Sequence, residues 1–212
     1  MDLMLKLENF IQDHKYPLAV RSSSLLEDSQ YQPLAGAYET IMLPNNSRSS
    51  KKRLVKLITA IKYVFASTFK GEAKSLLDNT AHRIEEEKMA VIIQEVVGQP
   101  YESKRFYPTF SGVLKSINYY PVSYMKRDEG VVYLALGFGR TIVDGEKCLR
   151  ISPKYPSILP QFFSMKATEQ NSQNQFYGLP LTSINNNSKE DLHPFSLRNA
   201  EDDGALKWVG SV

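Results

Sequence analysis

The sequence predicts an α+β fold, and three observations support that class. Apolar residues at helical spacing in 53–69 predict one long helix, with Ser49 or Ser50 as its N-cap. A nearly continuous apolar, β-branched run at 89–97 predicts a buried central strand. Other strand-like segments follow in irregular order, without the strand–helix alternation of a doubly wound sheet. We therefore expect a mixed sheet with helices packed on it.

The core is expected where this helix packs against the central strand. The spacing places Leu54 and Phe65 on the same helical stripe as the residues around Leu57. We expect five side chains to be mostly buried: Leu57, Ile58, Ile61, Val91 and Ile92. A first helix is predicted over Asp2–His14, with Asp2 as its N-cap, and it ends before Pro17.

The rest of the chain divides into strands and polar stretches. Further strands are predicted at 109–117 and 131–136. Loops or irregular structure are expected at 99–108, 151–160 and 165–191, the last being the least ordered by composition. The predicted organisation is a domain over 1–160, followed by an irregular polar extension over 161–212.

Composition points to an ordinary globular protein. Of the 212 residues, 42% are hydrophobic and 23% charged, and the net charge of +3 is too small to argue for nucleic acid. No apolar run approaches the ~20 residues of a membrane span, and the N-terminus has no signal-peptide pattern. Cys148 is the single cysteine, which excludes an internal disulfide. Its sequence neighbours suggest a half-buried position, so we expect it to pack inertly rather than to act in catalysis. We expect a cytoplasmic protein without membrane or nucleic-acid partners.

The segment Pro17–Leu43 organises the chain. It is predicted to form a strand, a polar loop and a second strand, with Arg21 and Ser22–Ser24 in the loop. A guanidinium can hold phosphate oxygens in a fork, and hydroxyls and backbone N–H groups add further donors. The segment therefore has the chemistry of an anion site. On chemistry alone, a solvated hairpin loop with an incidental arginine is the alternative.

The order of residues in this segment resembles a known family. V-R-S-S-x-x-x-E-D followed by A-G-x-x-E-T resembles the nucleotide-binding domain of phosphoenolpyruvate synthase and pyruvate phosphate dikinase. The matched residues are Val20, Arg21, Ser22, Ser23, Glu27, Asp28, Ala35, Gly36, Glu39 and Thr40. The resemblance implies an ATP-grasp fold, present here as a partial domain. It also implies that Arg21, as the candidate catalytic residue, contacts the phosphates of ATP, with Ser22, Ser23 and Glu39 beside it.

A second match lies on the predicted central strand. Met89–Val97 resembles the family's M-A-V-x-x-Q-x-x-V. The resemblance implies that the adenine slot is lined by Gln94, Glu95, Val96 and Val97. A strand end offers free backbone donors and acceptors, and valine offers an apolar wall for the ring. The alternative is a plain central strand with a polar end.

Looser matches follow along the chain. Ser111-Gly112-Val113 resembles the family's A/S-G-V segment. Leu136–Gly139, with Val143 and Gly145, resembles G-L-G-E-x-V-x-G, but Arg140 stands where the family has Glu. Asp144-Gly145-Glu146 has the form of the family's Mg²⁺-binding D-x-E, yet it lies in a predicted turn and no L-Q-x-R-P follows. No metal ligand is therefore assigned, and the Mg²⁺ ligands are expected outside this chain.

The resemblance implies a function as the ATP-binding portion of a phosphoenolpyruvate synthase-like phosphotransferase. In such a kinase, ATP phosphorylates a catalytic histidine on another domain, which then passes the phosphate to pyruvate. The chain is expected to be an internal fragment that is not active alone, with ATP and the phosphohistidine and pyruvate-binding domains as partners.

Two alternatives stay open. One is a catalytically inactive nucleotide-sensing or domain-interaction module of the same fold. The other is a protein-interaction domain with an aromatic surface formed by Tyr101, Phe106, Tyr107, Tyr119, Tyr120 and Tyr124.

Overall fold

The computed structural model describes residues 2–24, 27, 38–70, 88–102, 104–182 and 192–208. The described residues form two compact units, the first running to Val96 and the second beginning at Val97. The predicted loop around Pro33 and Gly36 lies outside the described residues. The expected division of the chain at residue 160 stays a prediction.

A three-stranded antiparallel sheet forms the framework of the first unit. Its strands are β1 (Leu18–Ser24), β2 (Thr40–Leu43) and β3 (Met89–Glu95), in the order β2-β1-β3. The strand–loop–strand prediction for Pro17–Leu43 is confirmed in its two strands. Strand β1 continues to Ser24, which pairs with Met89 across β3. Arg21 and the three serines after it therefore lie in the strand, and their assignment to the loop was wrong.

Two helices cover one face of this sheet. Helix α1 (Leu3–Asp13) begins at the N-cap Asp2, whose side chain accepts from the Met4 N–H, as predicted. Helix α2 (Ser50–Ser67) begins at the N-cap Ser49, which accepts from the Lys52 N–H. Their apolar residues and the inward side chains of β1 and β2 form one buried cluster: Ile11, Leu18, Val20, Ile41, Leu43, Leu54, Leu57, Ala60 and Val64. The α+β class is confirmed, and α2 packs on the sheet as expected.

The buried stripe of α2 differs from the predicted one by part of a turn. Leu57 and Val64 are fully buried, whereas Ile58 and Ile61 are only partly buried. Phe65 is 45% exposed, so its assignment to the core was wrong. A helix turns about 100° per residue, and Val64 therefore occupies the inward position that the sequence pattern gave to its larger neighbour.

Strand β3 is neither central nor buried on both faces. Among the described residues it pairs with β1 alone, so it lies at the edge of the sheet and β1 is central. Val91 and Ile93 face the helices, whereas Ile92 is 42% exposed on the other side. The continuous apolar run predicted burial on both faces. The pleat nevertheless sends every second residue away from the core.

The second unit contains two antiparallel sheets. One has the order β10-β9-β5-β4, and the other has the order β6-β7-β8. The strands of the first sheet are β4 (Gln99–Tyr101), β5 (Arg105–Tyr107), β9 (Gln175–Pro180) and β10 (His193–Ser196). Those of the second are β6 (Ser111–Lys115), β7 (Val131–Ala135) and β8 (Leu149–Ile151). The short helices are α3 (Arg140–Val143), α4 (Met165–Asn171) and α5 (Leu197–Asp202).

The strands predicted at 109–117 and 131–136 are confirmed as β6 and β7. The stretch 99–108, predicted to be a loop, forms the β4–β5 hairpin instead. Its strands are only three residues long, and Pro100 hides their alternation. Proline is tolerated there because β4 is an edge strand of its sheet.

The stretch 165–191 is also more regular than its composition suggests. Helix α4 begins at the N-cap Ser164, and β9 is buried along most of its length, from Phe176 to Leu179. The prediction missed this strand because its short run, Phe176–Leu179, lies between segments rich in Asn and Gln, which dominate the composition of the stretch. Residues 183–191 lie outside the described part of the chain.

A buried ion pair joins the strand β5 to the end of α5. Arg105 donates through Nε and Nη2 to the two carboxylate oxygens of Asp203, at 2.8 and 2.6 Å. The Tyr107 hydroxyl donates to the same carboxylate at 2.8 Å. The Asp203 side chain is fully buried, so these three bonds supply the partners that a buried charge requires.

Candidate functional site

The central strand β1 presents two chemically different faces. Leu18 and Val20 point into the helix-covered core, together with the buried Ser22. Arg21 has the opposite orientation, because successive side chains of a strand alternate. It is exposed although its neighbours Val20 and Ser22 are almost fully buried. The strand therefore holds one cation on the side away from the helices.

The register defines what surrounds this cation. Arg21 pairs with Thr40 on one side and with Ile92 on the other, and directly opposed residues share a face. Gln94 pairs with Ala19, which puts it on the same face, diagonal to Arg21. We call the exposed residues of this surface the Arg21 face: Arg21, Thr40, Ala90, Ile92 and Gln94. Arg21 has no hydrogen bond or ion pair with any described residue, and the other four residues are uncharged.

The two serines predicted to act with Arg21 lie on opposite sides of the sheet. Ser23 pairs with Ala90 and shares the Arg21 face, where it is partly buried. Ser22 is buried, and its hydroxyl donates to the Glu27 carboxylate at 2.9 Å. The structure thus brings Ser23, but not Ser22, to the side where Arg21 is exposed.

Glu39 lies directly before β2 and is partly buried. Its N–H donates to the Ser67 hydroxyl at 3.1 Å, and its carboxylate forms an ion pair with Lys70. The negative charge next to the Arg21 face is therefore held by a lysine that follows the end of α2. This pairing leaves the positive charge of Arg21 uncompensated by Glu39.

The predicted adenine contacts occupy the end of β3. Gln94 is exposed on the Arg21 face, and Glu95 is exposed opposite Leu18. Val96 is buried, and its N–H donates to the Pro17 carbonyl at 3.0 Å. Val97 is 83% exposed and is the residue at which the second unit begins. The four residues thus have different environments, and of them Gln94 lies nearest in register to Arg21.

The two looser motifs are in direct contact within the second unit. The hydroxyl of Ser111, from Ser-Gly-Val, donates to the Gly137 carbonyl of the Gly-Phe-Gly segment at 2.6 Å. Gly137 has φ = +76°, and a Cβ there would lie 2.6 Å from the Tyr177 carbonyl oxygen. Glycine is therefore required at that position by both backbone conformation and space.

Arg140 and the following acidic residues have partners within the protein. The Arg140 guanidinium lies 4.9 Å from the centre of the Tyr177 ring and pairs with Asp144 at 3.1 Å. Glu146 accepts from the Tyr177 hydroxyl at 2.9 Å and from Gln175 at 3.2 Å. The hydrogen bond to Glu146 raises the pKa of Tyr177, and burial adds to the shift.

These contacts decide how the described residues fit a metal ion. Asp144 and Glu146, the two acids of the D-x-E pattern, are engaged by Arg140 and Tyr177. The described part of the chain holds no group of three or more His, Cys, Asp or Glu residues that could bind a metal. The two acids of the pattern thus already have partners within the described part of the chain, and no step is derived through Mg²⁺.

A largely apolar cavity of about 410 Å³ lies in the second unit. It contains none of the predicted nucleotide contacts. Its lining residues are Phe110, Leu134, Ala135, Leu136, Leu149, Phe162, Asn171, Ser172, Gln173, Leu197 and Leu206. The side chains of Asn171, Ser172 and Gln173 all donate to backbone carbonyls. Cys148 directly precedes Leu149, one of these lining residues, and is half-buried. Burial raises the pKa of its thiol, which favours the protonated, unreactive form.

The six aromatic residues of the alternative interaction surface do not share one exposed surface. Tyr101, Phe106 and Tyr107 are buried, and Tyr101 stacks on Tyr107 at 4.2 Å between ring centres. Tyr119 and Tyr120 are exposed. Half of the expected surface is therefore interior packing.

The sequence-based prediction of the site did not include the two residues that flank Arg21 in the sheet. Thr40 belonged to the matched motif but was not assigned to the site, and Ile92 was placed in the core. Both become neighbours of Arg21 only through the register of three strands that are distant in the chain. Extending the alternation of β1 past Val20 would have indicated which side Arg21 faces.

Within the described ranges, no helix has both the length and the apolar character needed to cross a bilayer.

Comparison with known proteins adds an independent observation. The model of the pyruvate phosphate dikinase AMP/ATP-binding domain family matches residues 2–191. An uncharacterized phosphotransferase, YvkC, of Bacillus subtilis (strain 168) is 30% identical over 128 residues, which is 60% of this chain. That stretch is 13% of the relative's length, so the chain corresponds to a small part of it. Because the family model spans most of the chain, the protein belongs to the pyruvate phosphate dikinase AMP/ATP-binding domain family.

Proposed function

We propose that this chain is the ATP-binding part of a phosphotransferase and that Arg21 binds the phosphates of the nucleotide. The observation that best supports this proposal is the position of Arg21, an exposed cation in the middle of a buried strand. It has no acidic partner among the described residues. Family membership supports AMP or ATP as the ligand class. The name of the Bacillus relative supports phosphoryl transfer as the reaction class.

The Arg21 face fits a nucleotide in charge and in chemistry. A guanidinium offers a planar fork of donors that matches two phosphate oxygens. Thr40 and Ser23 add hydroxyls on the same side. Ala90 and Ile92 supply apolar surface, and Gln94 supplies an amide, which is the combination that a base-binding site needs. Adenine contacts at Glu95, Val96 and Val97 remain predictions from the family pattern.

In the proposed reaction, Arg21 acts by position and charge. Phosphoryl transfer requires alignment of the phosphates and neutralisation of their charge more than covalent participation by the protein. We propose that phosphate from ATP passes to a histidine of another domain and then to pyruvate. The residues around Arg21 would bind and orient the phosphate donor, while another domain would supply the acceptor.

Arg140 favours one alternative, a nucleotide-sensing module without catalysis. It replaces a glutamate of the family pattern and is held by Asp144 and by the Tyr177 ring. Such a module would bind ATP with the same dependence on Arg21 but would transfer no phosphate. Incubation of the full-length protein with ATP labelled in its β- and γ-phosphates distinguishes the two: a labelled protein supports the transferase, and bound but intact ATP supports the sensor.

The test of the nucleotide site is calorimetry with ATP on Arg21→Ala. Loss of one charge-assisted contact costs on the order of 1.5–3 kcal/mol, which corresponds to about 10–150-fold weaker binding. Arg21→Lys should restore only part of the affinity, because an ammonium group cannot hold two oxygens in a fork.

Arg48→Ala is the matched control, since Arg48 is also exposed and lies just before α2. It should bind ATP like the wild type. Equal affinities for the wild type and Arg21→Ala would show that Arg21 is an ordinary surface residue.

A further inference from the structure

A second cationic surface lies on the sheet β6-β7-β8 of the second unit. Tyr133 pairs with Val113 on one side and with Arg150 on the other, and Lys115 follows Val113 by two residues. Lys115, Tyr133 and Arg150 therefore share one face of the sheet. Lys115 Nζ and the Arg150 guanidinium each lie 5.8 Å from the centre of the Tyr133 ring. One aromatic ring is thus bracketed by cations from both neighbouring strands.

Neither cation has a carboxylate partner among the described residues. By contrast, Arg105 pairs with Asp203, Lys154 with Glu129 and Lys104 with Glu102. The Tyr133 ring attracts both charges only weakly, by about 0.5–1 kcal/mol at exposed positions, and it does not neutralise them. Two uncompensated charges flanking one ring are the arrangement that a bound anion would complete.

Arg150 is fixed in position more firmly than a surface arginine usually is. Its Nη2 donates to the Oδ1 of the buried Asn118 at 2.8 Å and to the Tyr120 carbonyl. Its Nε is buried and has no hydrogen-bond partner. The Tyr133 hydroxyl likewise makes no hydrogen bond to a described residue. The site therefore combines a preorganised guanidinium, an unused tyrosine hydroxyl and a long lysine side chain, which can adjust to a ligand.

We propose that Lys115, Tyr133 and Arg150 form a binding site for a phosphate-bearing anion. A phosphate dianion or a diphosphate carries enough charge to match both cations, whereas a carboxylate carries only one charge. Arg150 supplies the fixed contact, Lys115 the adjustable one, and the Tyr133 hydroxyl a neutral donor. The site lies within the second unit and uses none of the residues proposed to bind the nucleotide.

The test is calorimetry of the 212-residue chain with pyrophosphate at low ionic strength, with inorganic phosphate and acetate as comparison anions. We expect the affinity to fall in the order pyrophosphate, phosphate, acetate, and to fall further with added salt. Lys115→Gln should weaken pyrophosphate binding about tenfold or more, because one of two charge-assisted contacts is lost. The exposed Lys115 has no hydrogen bond to lose and only a weak contact with the Tyr133 ring, so this variant should unfold within a few degrees of the wild type.

Two variants keep the outcome unambiguous. Lys166→Gln removes the same charge from an exposed lysine of α4 and should leave pyrophosphate binding unchanged. In an Arg21→Ala background, which removes the phosphate contact of the proposed nucleotide site, pyrophosphate should still bind and Lys115→Gln should still weaken that binding. Wild-type affinity in Lys115→Gln, or equal losses in Lys115→Gln and Lys166→Gln, would overturn the proposal. If pyrophosphate no longer binds to Arg21→Ala, or if Lys115→Gln has no effect in that background, there is no separate site.

Discussion

At the scale of single residues, Arg21 shows how alternation along a strand creates a site. Val20 and Ser22 are buried on the core side, and one residue between them carries its charge to the opposite side. No cation could occupy the position of Val20 without a buried partner, because removing a charge from water costs several kcal/mol. The position of the charge is therefore set by the same pattern that builds the core.

Tyr107 supports a residue-scale prediction on stability and pH. Burial, and next the hydrogen bond to Asp203, raise the pKa of Tyr107 above its ordinary 10.0. The neutral hydroxyl thus stabilises the folded state below pH 10.0, and this contribution is lost as the pH rises further, because the tyrosine of the unfolded chain ionises first. Tyr107→Phe should lower the free energy of unfolding by about 1–3 kcal/mol at neutral pH.

Urea denaturation at neutral pH and above pH 10.0 measures this effect. The difference in the free energy of unfolding between the wild type and Tyr107→Phe should be smaller at the higher pH. Tyr120→Phe is the control, since Tyr120 is 78% exposed and should show little change at either pH. A gap that stays constant with pH would mean that the Tyr107 hydroxyl titrates alike in the folded and unfolded chains.

At the scale of elements, α2 shows the limit of periodicity. Helical spacing found the helix, its cap and the buried Leu57, because these depend on residues within a few turns of each other. It chose Phe65 over Val64, because larger apolar residues dominate a sequence pattern. The rotation of the helix against the sheet is instead set by Val20, Ile41 and Leu43, which come from other segments.

Val64 and Phe65 therefore provide an element-scale test. Val64→Ala should cost about 1.5–3 kcal/mol, since Val64 is fully buried and the deletion leaves a cavity. Phe65→Ala should cost less than about 1 kcal/mol, because much of that ring is already in solvent. Chemical denaturation of both variants measures the difference. A larger loss for Phe65→Ala would mean that the helix is rotated toward the sequence-predicted stripe.

The strands show a similar division between local and distant information. β1, β2, β6 and β7 were predictable from apolar runs bounded by turn residues. The β4–β5 hairpin and β9 were not, because their strands are short and lie in polar or proline-containing surroundings. The Arg21 face was predictable only in part. Arg21 and Gln94 came from the family pattern, but their neighbours Thr40 and Ile92 depend on a register that no single segment encodes.

At the scale of the whole molecule, the family footprint extends over both compact units. The matched residues 2–191 include the Arg21 face of the first unit and the Ser-Gly-Val and Gly-Phe-Gly segments of the second. The fold class and the family were accessible from the sequence because they rest on ordered motifs. The partition at Val96 was not, because the apolar run at 89–97 continues through it without a turn residue.

The central claim is that the Arg21 face binds the nucleotide, and an NMR titration of the ¹⁵N-labelled chain with ATP tests it most directly. The backbone amides of Arg21, Thr40, Ile92 and Gln94 should shift with increasing ATP, whereas those of Leu57 and Val64 in α2 should stay largely unchanged. In Arg21→Ala, the same amides should respond only at much higher ATP concentrations. Shifts confined to residues of the second unit, with β1, β2 and β3 unaffected, would contradict the account.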